Sequence, residues 1–142
     1  MTPLRIAIVG AGDFAHEHAR SFAAQGQYAR LVAAVDPTLE RARAFCAAHG
    51  IPAAYADTTT MLRQEHPDIV AILSPPYTHA PLTIEVLRAG AHVVCEKPLA
   101  MTAVETAELV AVSKAHPNLV AAVNYNKRFY PLVQHAHEAR RV

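Results

Sequence analysis

A glycine-rich turn close to the N-terminus constrains the fold of this chain more than any other feature. The turn has the sequence V-G-A-G-D-F-A and the spacing G-x-G-x-x-A. In such a turn Gly10 adopts a backbone angle that a side chain would forbid, Gly12 leaves a ligand's phosphates unobstructed, and Ala15 lets the helix pack closely on the strand. The first N–H groups of that helix, at Asp13 and Phe14, would then face the phosphate charge. The turn therefore predicts a strand–helix unit that binds a pyrophosphate.

The sequence on either side of the turn agrees with this interpretation. Residues 4–9 form a short apolar run typical of a strand buried on both faces, and apolar residues recur at spacings of three and four over 14–23, as in a helix. A second apolar strand is predicted at 31–35, and Asp36 follows it, about 20 residues beyond the turn. A carboxylate there accepts hydrogen bonds from the hydroxyls of an adenosine ribose and repels a 2′-phosphate. The expected cofactor is therefore NAD, with NADP less favoured.

Two alternatives stay open at this position. Asp36 precedes Pro37, and an Asp–Pro pair is also typical of a helix start, so Asp36 could cap a helix as well as contact a cofactor. Arg41 and Arg43 lie close to Asp36 in the sequence, so use of both NAD and NADP is the second alternative.

Strand and helix patterns alternate along the whole chain. This alternation predicts an α/β fold with a doubly wound, six-stranded parallel sheet in the order 3-2-1-4-5-6 and with helices on both faces. The ligand crevice is then expected at the carboxyl ends of strands one and four. Beyond the first two strands and the first helix, the predicted strands are 53–56, 68–73, 92–95 and 119–123, and the predicted helices are 37–49, 58–64, 79–89, 103–116 and 131–142.

Composition narrows the possible functions. The chain has 142 residues and a formal net charge of +1, so we expect one globular domain and no binding to nucleic acid or to an anionic membrane. No apolar run is long enough to span a bilayer, and the N-terminus lacks the pattern of a signal peptide. Cys46 and Cys95 are predicted to be small core residues without a disulfide, and the expected location is the cytoplasm.

A second group of motifs carries a family resemblance. The chain has G-A-G-D-F-A-H-E-H-A at its first turn, S-P-P-Y-T-H after the fourth strand, A-G-A-H-V-V-C-E-K-P around the fifth, and V-N-Y-N-K-R-F-Y-P after the sixth. Together they resemble the glucose–fructose oxidoreductase / inositol dehydrogenase family, Gfo/Idh/MocA, over nearly the whole chain. The E-K-P signature is specific, whereas the glycine turn is common.

The resemblance implies roles for individual residues. It places Ser74 and Pro75 beside the diphosphate and the nicotinamide ribose of the cofactor. It makes Lys97 the catalytic residue that orients the reacting hydroxyl and tunes its proton transfer.

The remaining positions carried over by the resemblance lie around these. His79, Glu96, Lys97 and Asn126 are expected near the cofactor, and Pro98 matches a proline often preceded by a cis bond. Pro76 departs from the family pattern, which usually has Asn there, so that side-chain contact is absent. His18 also matches a family histidine, and we expect packing or capping from it.

The resemblance also implies an activity. The expected function is the NAD(P)-binding part of an oxidoreductase that transfers hydride between nicotinamide and a sugar, a polyol or a related secondary alcohol. Two alternatives are a glycosidase that uses NAD without net redox change and a regulatory module that senses NAD without catalysis. The expected partners are a dinucleotide and a small-molecule substrate, and the family implies a homo-oligomer.

Domain boundaries are expected to follow the family pattern. Residues 1–126 are predicted to form the dinucleotide-binding domain. Residues 127–142 are predicted to begin the segment that leads into a substrate domain, which is absent from this chain. The chain by itself is therefore expected to have little activity. No metal site is predicted, because His16 and His18 are too close in sequence to share one helical face and His135 and His137 are typical of a solvated helix end.

Overall fold

A computed structural model of the chain describes residues 2–139. Six parallel strands form one sheet in the order β3-β2-β1-β4-β5-β6, which confirms the predicted topology. The strands are β1 (Leu4–Val9), β2 (Ala29–Val35), β3 (Ala53–Tyr55), β4 (Ile69–Ile72), β5 (His92–Cys95) and β6 (Ala121–Val123). The helices are α1 (Asp13–Ala23), α2 (Leu39–His49), α3 (Thr58–Glu65), α4 (His79–Arg88), α5 (Ala103–Ala115) and α6 (Pro131–Ala139), with short 3₁₀ helices at Pro76–Thr78 and Asn126–Phe129.

Two apolar layers cover the sheet. Successive side chains of a strand point to opposite faces, so Ala7 and Val9 join one layer while Ile8 joins the other. Helices α1 and α2 bury their apolar sides on the Ile8 face, and α3, α4 and α5 bury theirs on the Ala7 face. Because both faces of β1 are buried, its carboxyl end is held rigidly, and this end carries the glycine turn.

Both cysteines lie inside these layers as free thiols, which confirms their prediction as core residues. Burial raises the pKa of the Cys95 thiol to about 11, with the neighbouring Glu96 charge adding to the rise and a hydrogen bond with Thr83 opposing it. The thiol next to the E-K-P segment is therefore protonated near neutral pH and is not a nucleophile.

Several element boundaries differ from the sequence prediction. Helix α2 begins at Leu39 instead of Pro37, because Thr38 occupies the N-cap in an extended conformation. The Asp36 carboxylate nevertheless accepts a hydrogen bond from the Thr38 N–H at 3.0 Å, so it orders the turn before the helix without being its cap. Helix α2 ends at His49, as predicted, and Gly50 follows it as the C-cap with a left-handed φ of 65°.

The end of the sheet at β6 is less covered than the rest. Ala121 and Ala122 of β6 are exposed, and no residue of α6 is buried. Within residues 2–139, none of the helices has the length and apolar character needed to cross a membrane.

Candidate active site

The glycine turn joins β1 to α1 at the centre of the sheet. Gly10 has a left-handed φ of 99°, and its N–H donates to the Val35 carbonyl oxygen at 2.8 Å. A Cβ at this position would lie 2.8 Å from the carbonyl carbon of Leu73 and from the backbone nitrogen of Ser74. Only glycine fits, since the turn needs both the conformation and the close approach of the β4 loop.

The N-terminus of α1 faces the same edge of the sheet. Its N-cap is Gly12 in an extended conformation, so the cap has no side chain to accept from the first-turn N–H groups of Asp13 and Phe14. Asp13 and Phe14 are exposed, whereas Ala15 is buried against the sheet. The free N–H groups and the positive end of the helix dipole form a site suited to an anion.

A buried carboxylate lies beside this turn. Asp36 is 6% exposed and follows β2 directly. One carboxylate oxygen accepts from the Ala11 N–H at 3.2 Å and the other from the Thr38 N–H at 3.0 Å. Each oxygen has a second lone pair, so the carboxylate can still accept two hydrogen bonds from a ligand. The guanidinium of Arg41 lies 3.9 Å from the Asp36 carboxylate and is a cation beside it.

These groups line one crevice of about 760 Å³ at the carboxyl ends of β1, β2 and β4. This volume falls within the usual range for small-molecule sites. The β4 loop closes one side of the crevice with Ser74 and Pro75, and the Ser74 hydroxyl is 2.6 Å from that of Thr78. The crevice lies where the predicted topology expects a ligand, and it is lined in part by Gly10, Gly12, Asp36, Ser74 and Pro75.

His79 lies beneath this rim and not in the crevice. It is 1% exposed, its Nδ1 lies 2.7 Å from the Pro98 carbonyl oxygen, and its Nε2 lies 2.8 Å from the Ser74 carbonyl oxygen. Both ring nitrogens are therefore occupied by the chain's own backbone. The sequence prediction places His79 near the cofactor, but the structure leaves its ring no free atom for a hydrogen bond to a ligand.

A hydrogen-bond network surrounds the carboxylate of Glu96, which is 8% exposed. The His18 Nε2 donates to one of its oxygens at 3.2 Å, and the Asn124 side-chain amide donates to the same oxygen. The Lys97 N–H donates to the other oxygen at 3.3 Å. The packing or capping role expected for His18 is therefore incomplete, because its ring also orients Glu96.

The side chain of Lys97 is exposed at the carboxyl end of β5, next to this network. It lines a second cavity, of about 970 Å³, whose other walls include Asn124, Asn126 and Arg128. The peptide bond between Lys97 and Pro98 is cis. Lys97 and Asn126 thus share a cavity, separate from the crevice that contains Asp36.

Comparisons with known proteins identify the family. A family model described as "Oxidoreductase family, NAD-binding Rossmann fold" matches residues 4–125. The chain belongs to this family, Gfo/Idh/MocA. The matched residues include all six strands of the sheet, the glycine turn after β1 and the E-K-P segment after β5.

Individual Gfo/Idh/MocA proteins are similar in sequence and in structure. D-glucoside 3-dehydrogenase of Escherichia coli K12 is 35% identical over 128 residues, which are 90% of this chain and 36% of that protein. The WlbA dehydrogenase of Bordetella pertussis, in complex with NADH and UDP-GlcNAcA, has a TM-score of 0.92 at 28% identity, over 99% of this chain and 42% of that one. The scyllo-inositol dehydrogenase of Lactobacillus casei, with bound NAD(H) and scyllo-inositol, has a TM-score of 0.90 at 26% identity, over 99% and 41%. The chain thus spans well under half the length of the relatives that it matches.

Two residues of this site escaped the sequence-based choice of site residues. Asn124, directly after β6, and His18, on α1, both form hydrogen bonds with the Glu96 carboxylate. Asn124 directly follows the strand that neighbours β5, so the parallel order of strands already indicates its proximity to Glu96. His18 lies on a helix 78 residues earlier in the chain, and only the tertiary packing reveals its contact.

Proposed function

We propose that this chain binds NAD(H), in preference to NADP(H), in the crevice at the carboxyl ends of β1, β2 and β4. In this proposal the chain is the cofactor-binding part of an oxidoreductase that acts on a secondary alcohol of a sugar or polyol. The observation that carries the proposal is the position of Asp36. Its buried carboxylate lies one hydrogen bond from Ala11 in the glycine turn and retains acceptor capacity toward the crevice.

The residues present fit a dinucleotide. Gly12 has no side chain to obstruct the crevice, and the N-terminus of α1 offers N–H groups to a diphosphate. Asp36 is placed to accept hydrogen bonds from both hydroxyls of the adenosine ribose, and a 2′-phosphate would meet a buried negative charge there. The nicotinamide ring, when bound, supplies the hydride acceptor or donor.

The residues after β5 supply the proton chemistry in this proposal. Glu96 is fixed by His18 and Asn124, and it receives the Lys97 N–H, so the backbone that carries Lys97 is held in place. The Lys97 ammonium then reaches the cavity where a substrate hydroxyl would lie, and there it orients the hydroxyl and assists its proton transfer. Ser74, Pro75 and Asn126 remain predicted contacts on the rim.

We propose that residues 1–126 are the cofactor-binding unit and that 127–142 lead toward a substrate-binding part. The exposed aromatic side chains of Tyr125, Phe129 and Tyr130 at this boundary support a surface that another part of the protein covers. We also propose that the full-length protein forms a homo-oligomer and is located in the cytoplasm.

Titration of the chain with NADH and, separately, with NADPH tests the proposed function. We expect saturable NADH binding at micromolar to submillimolar concentrations, followed by the change in NADH fluorescence, and at least tenfold weaker binding of NADPH. The preference follows from the charge repulsion between Asp36 and the extra phosphate. Absence of saturation by NADH at millimolar concentration, or tighter binding of NADPH, would contradict the proposal.

Replacement of Lys97 tests the assigned proton chemistry. In a form of the protein that includes a substrate-binding part, Lys97→Met is expected to lower kcat by about a hundredfold or more, the usual size of a general acid–base contribution. The matched control is Lys114→Met, which removes an exposed lysine from α5 at a distance from the site. Equal activity of the two variants in steady-state assays would remove Lys97 from the catalytic role.

A further inference from the structure

Three cationic side chains line the cavity at the carboxyl end of β5. Lys97 lies two residues beyond that strand, and Lys127 and Arg128 belong to the 3₁₀ helix Asn126–Phe129. All three line the same cavity of about 970 Å³. Among residues 2–139, Glu138 is the only acidic side chain that lines it. The cavity that contains the proposed catalytic lysine is therefore positively charged.

These three charges have no carboxylate partner in the part of the chain that the structure describes. None of the ion pairs formed among residues 2–139 includes Lys97, Lys127 or Arg128. All three side chains are exposed toward the cavity side of the molecule, where they are open to a ligand. The cofactor does not account for Lys127 and Arg128 either, because the crevice proposed for the dinucleotide is lined by other residues.

Hydrogen bonds hold the segment that carries two of these cations. The Arg128 N–H donates to the Tyr125 carbonyl oxygen at 3.1 Å, and the Gln134 side-chain amide donates to the Arg128 carbonyl oxygen at 2.7 Å. The Arg128 guanidinium carbon also lies 5.7 Å from the centre of the Phe129 ring, within the range of a cation–π contact. The 3₁₀ helix is thus tied to α6, and its two cations belong to an ordered corner of the cavity.

The chemistry of these groups favours an anion over a neutral sugar. A guanidinium presents a planar fork of donors that matches a carboxylate or a phosphate, and an ammonium adds a point charge. Hydroxyl groups need no such charges, since amides such as that of Asn126 suffice for them. If a substrate-binding part covers this cavity, it removes three cations from water, and that costs free energy unless an anion compensates them.

We propose that the substrate carries an anionic group, a carboxylate or a phosphate, in addition to its reacting hydroxyl, and that Lys127 and Arg128 bind this group. Lys97 stays with the reacting hydroxyl. The inference rests on the proposed function, which makes this cavity the substrate site, but sugar binding and NADH binding are measured separately.

The first test compares D-glucuronate with D-glucose, which differ only in a carboxylate at C6. ¹H–¹⁵N spectra of the ¹⁵N-labelled, NADH-saturated chain report binding through the amide resonances of Lys127, Arg128 and Gln134. We expect saturable shifts at millimolar glucuronate or glucose 6-phosphate, and the tighter of the two identifies the anionic group. Glucose and acetate are expected to bind at least tenfold more weakly, because each offers only the sugar or only the charge.

Three results of this comparison would overturn the proposal. Glucose that binds as tightly as both sugar anions would show that the charge is not recognised. Acetate that binds as tightly as the sugar anions would show that only the charge is. Absence of saturation by both sugar anions would show that the cations serve another purpose, such as pairing with carboxylates of a substrate-binding part.

The second test removes the two cations one at a time. Arg128→Gln and Lys127→Gln are each expected to weaken binding of the sugar anion by about tenfold, the usual size for one charged hydrogen bond. Arg88→Gln and Lys114→Gln are the matched controls, because they remove the same charges from exposed positions outside the cavity. Wild-type affinity for the sugar anion in Arg128→Gln and Lys127→Gln, or an equal loss in all four variants, would overturn the proposal.

Titration with NADH separates this inference from the proposed function. A chain that binds NADH but neither sugar anion refutes the anion site and leaves the cofactor site standing. A chain that binds no NADH refutes the proposed function, and the assignment of this cavity to a substrate with it.

Discussion

Gly10→Ala is expected to lower the free energy of unfolding by about 2–5 kcal/mol and to abolish measurable NADH binding. The added Cβ would lie 2.8 Å from backbone atoms of Leu73 and Ser74, which cannot rotate away as a side-chain tip could. Overpacking of this kind costs about 1–3 kcal/mol, and a left-handed φ adds about 1–2 kcal/mol for a residue with a Cβ. Urea denaturation followed by circular dichroism measures the first effect, and NADH fluorescence measures the second.

Gly90→Ala is the matched control for this substitution. Gly90 also has a left-handed φ, of 88°, but a Cβ there meets no atom within 4 Å. This variant isolates the conformational cost, so we expect a loss of only about 1–2 kcal/mol and unchanged NADH binding. If both variants lost the same stability and both still bound NADH, the close approach of the β4 loop to the turn would not matter.

Asp36→Asn is expected to shift the preference between NADH and NADPH by about a hundredfold toward NADPH. The substitution replaces the charged carboxylate that accepts hydrogen bonds from the ribose hydroxyls by a neutral amide, which weakens NADH binding. Hydrogen bonds to a charged group are worth about 1.5–3 kcal/mol each. The substitution also removes the repulsion between Asp36 and a 2′-phosphate. The Arg41 guanidinium lies 3.9 Å from the Asp36 carboxylate, so in the variant it attracts that phosphate without a competing negative charge. Parallel titrations with the two cofactors give the ratio of dissociation constants.

Asp57→Asn provides the comparison, since it removes one negative charge from the same crevice. Asp57 is the N-cap of α3, and the hydrogen bond from the Thr60 N–H holds the pKa of its carboxyl below the usual range. Asparagine is an equally good N-cap, so the helix is kept. We expect the NADH to NADPH ratio to stay near the wild-type value. An equal shift in both variants would mean that overall charge, and not the position of Asp36, sets the preference.

The topology could be predicted because the chain's local signals agree with one another. Apolar runs such as residues 4–9 and 31–35 have the length of buried strands, and glycines such as Gly50 end helices where a left-handed residue is needed. The glycine turn then fixes which strand lies at the centre of the sheet. The sequence predicts the start of α2 two residues too early, because a proline suits both the first helical turn and the extended segment before the cap.

The sequence predicts the site residues that directly follow strands, but it does not predict the side-chain contacts that depend on packing in the core. Asp36, Ser74 and Lys97 follow predicted strands, so their common edge of the sheet follows from the parallel order. The contact between His18 and Glu96 and the double contact of His79 depend on side-chain directions set by the packed core. A sequence shows that these histidines are unusual, but it does not show which backbone oxygens they reach.

A crystal structure of the chain with NADH tests the central claim most directly. The account predicts the diphosphate on the backbone between Gly10 and Phe14, at the N-terminus of α1, and both hydroxyls of the adenosine ribose on the Asp36 carboxylate. NADH bound at another surface, or bound in the crevice with its adenosine ribose away from Asp36, would contradict it.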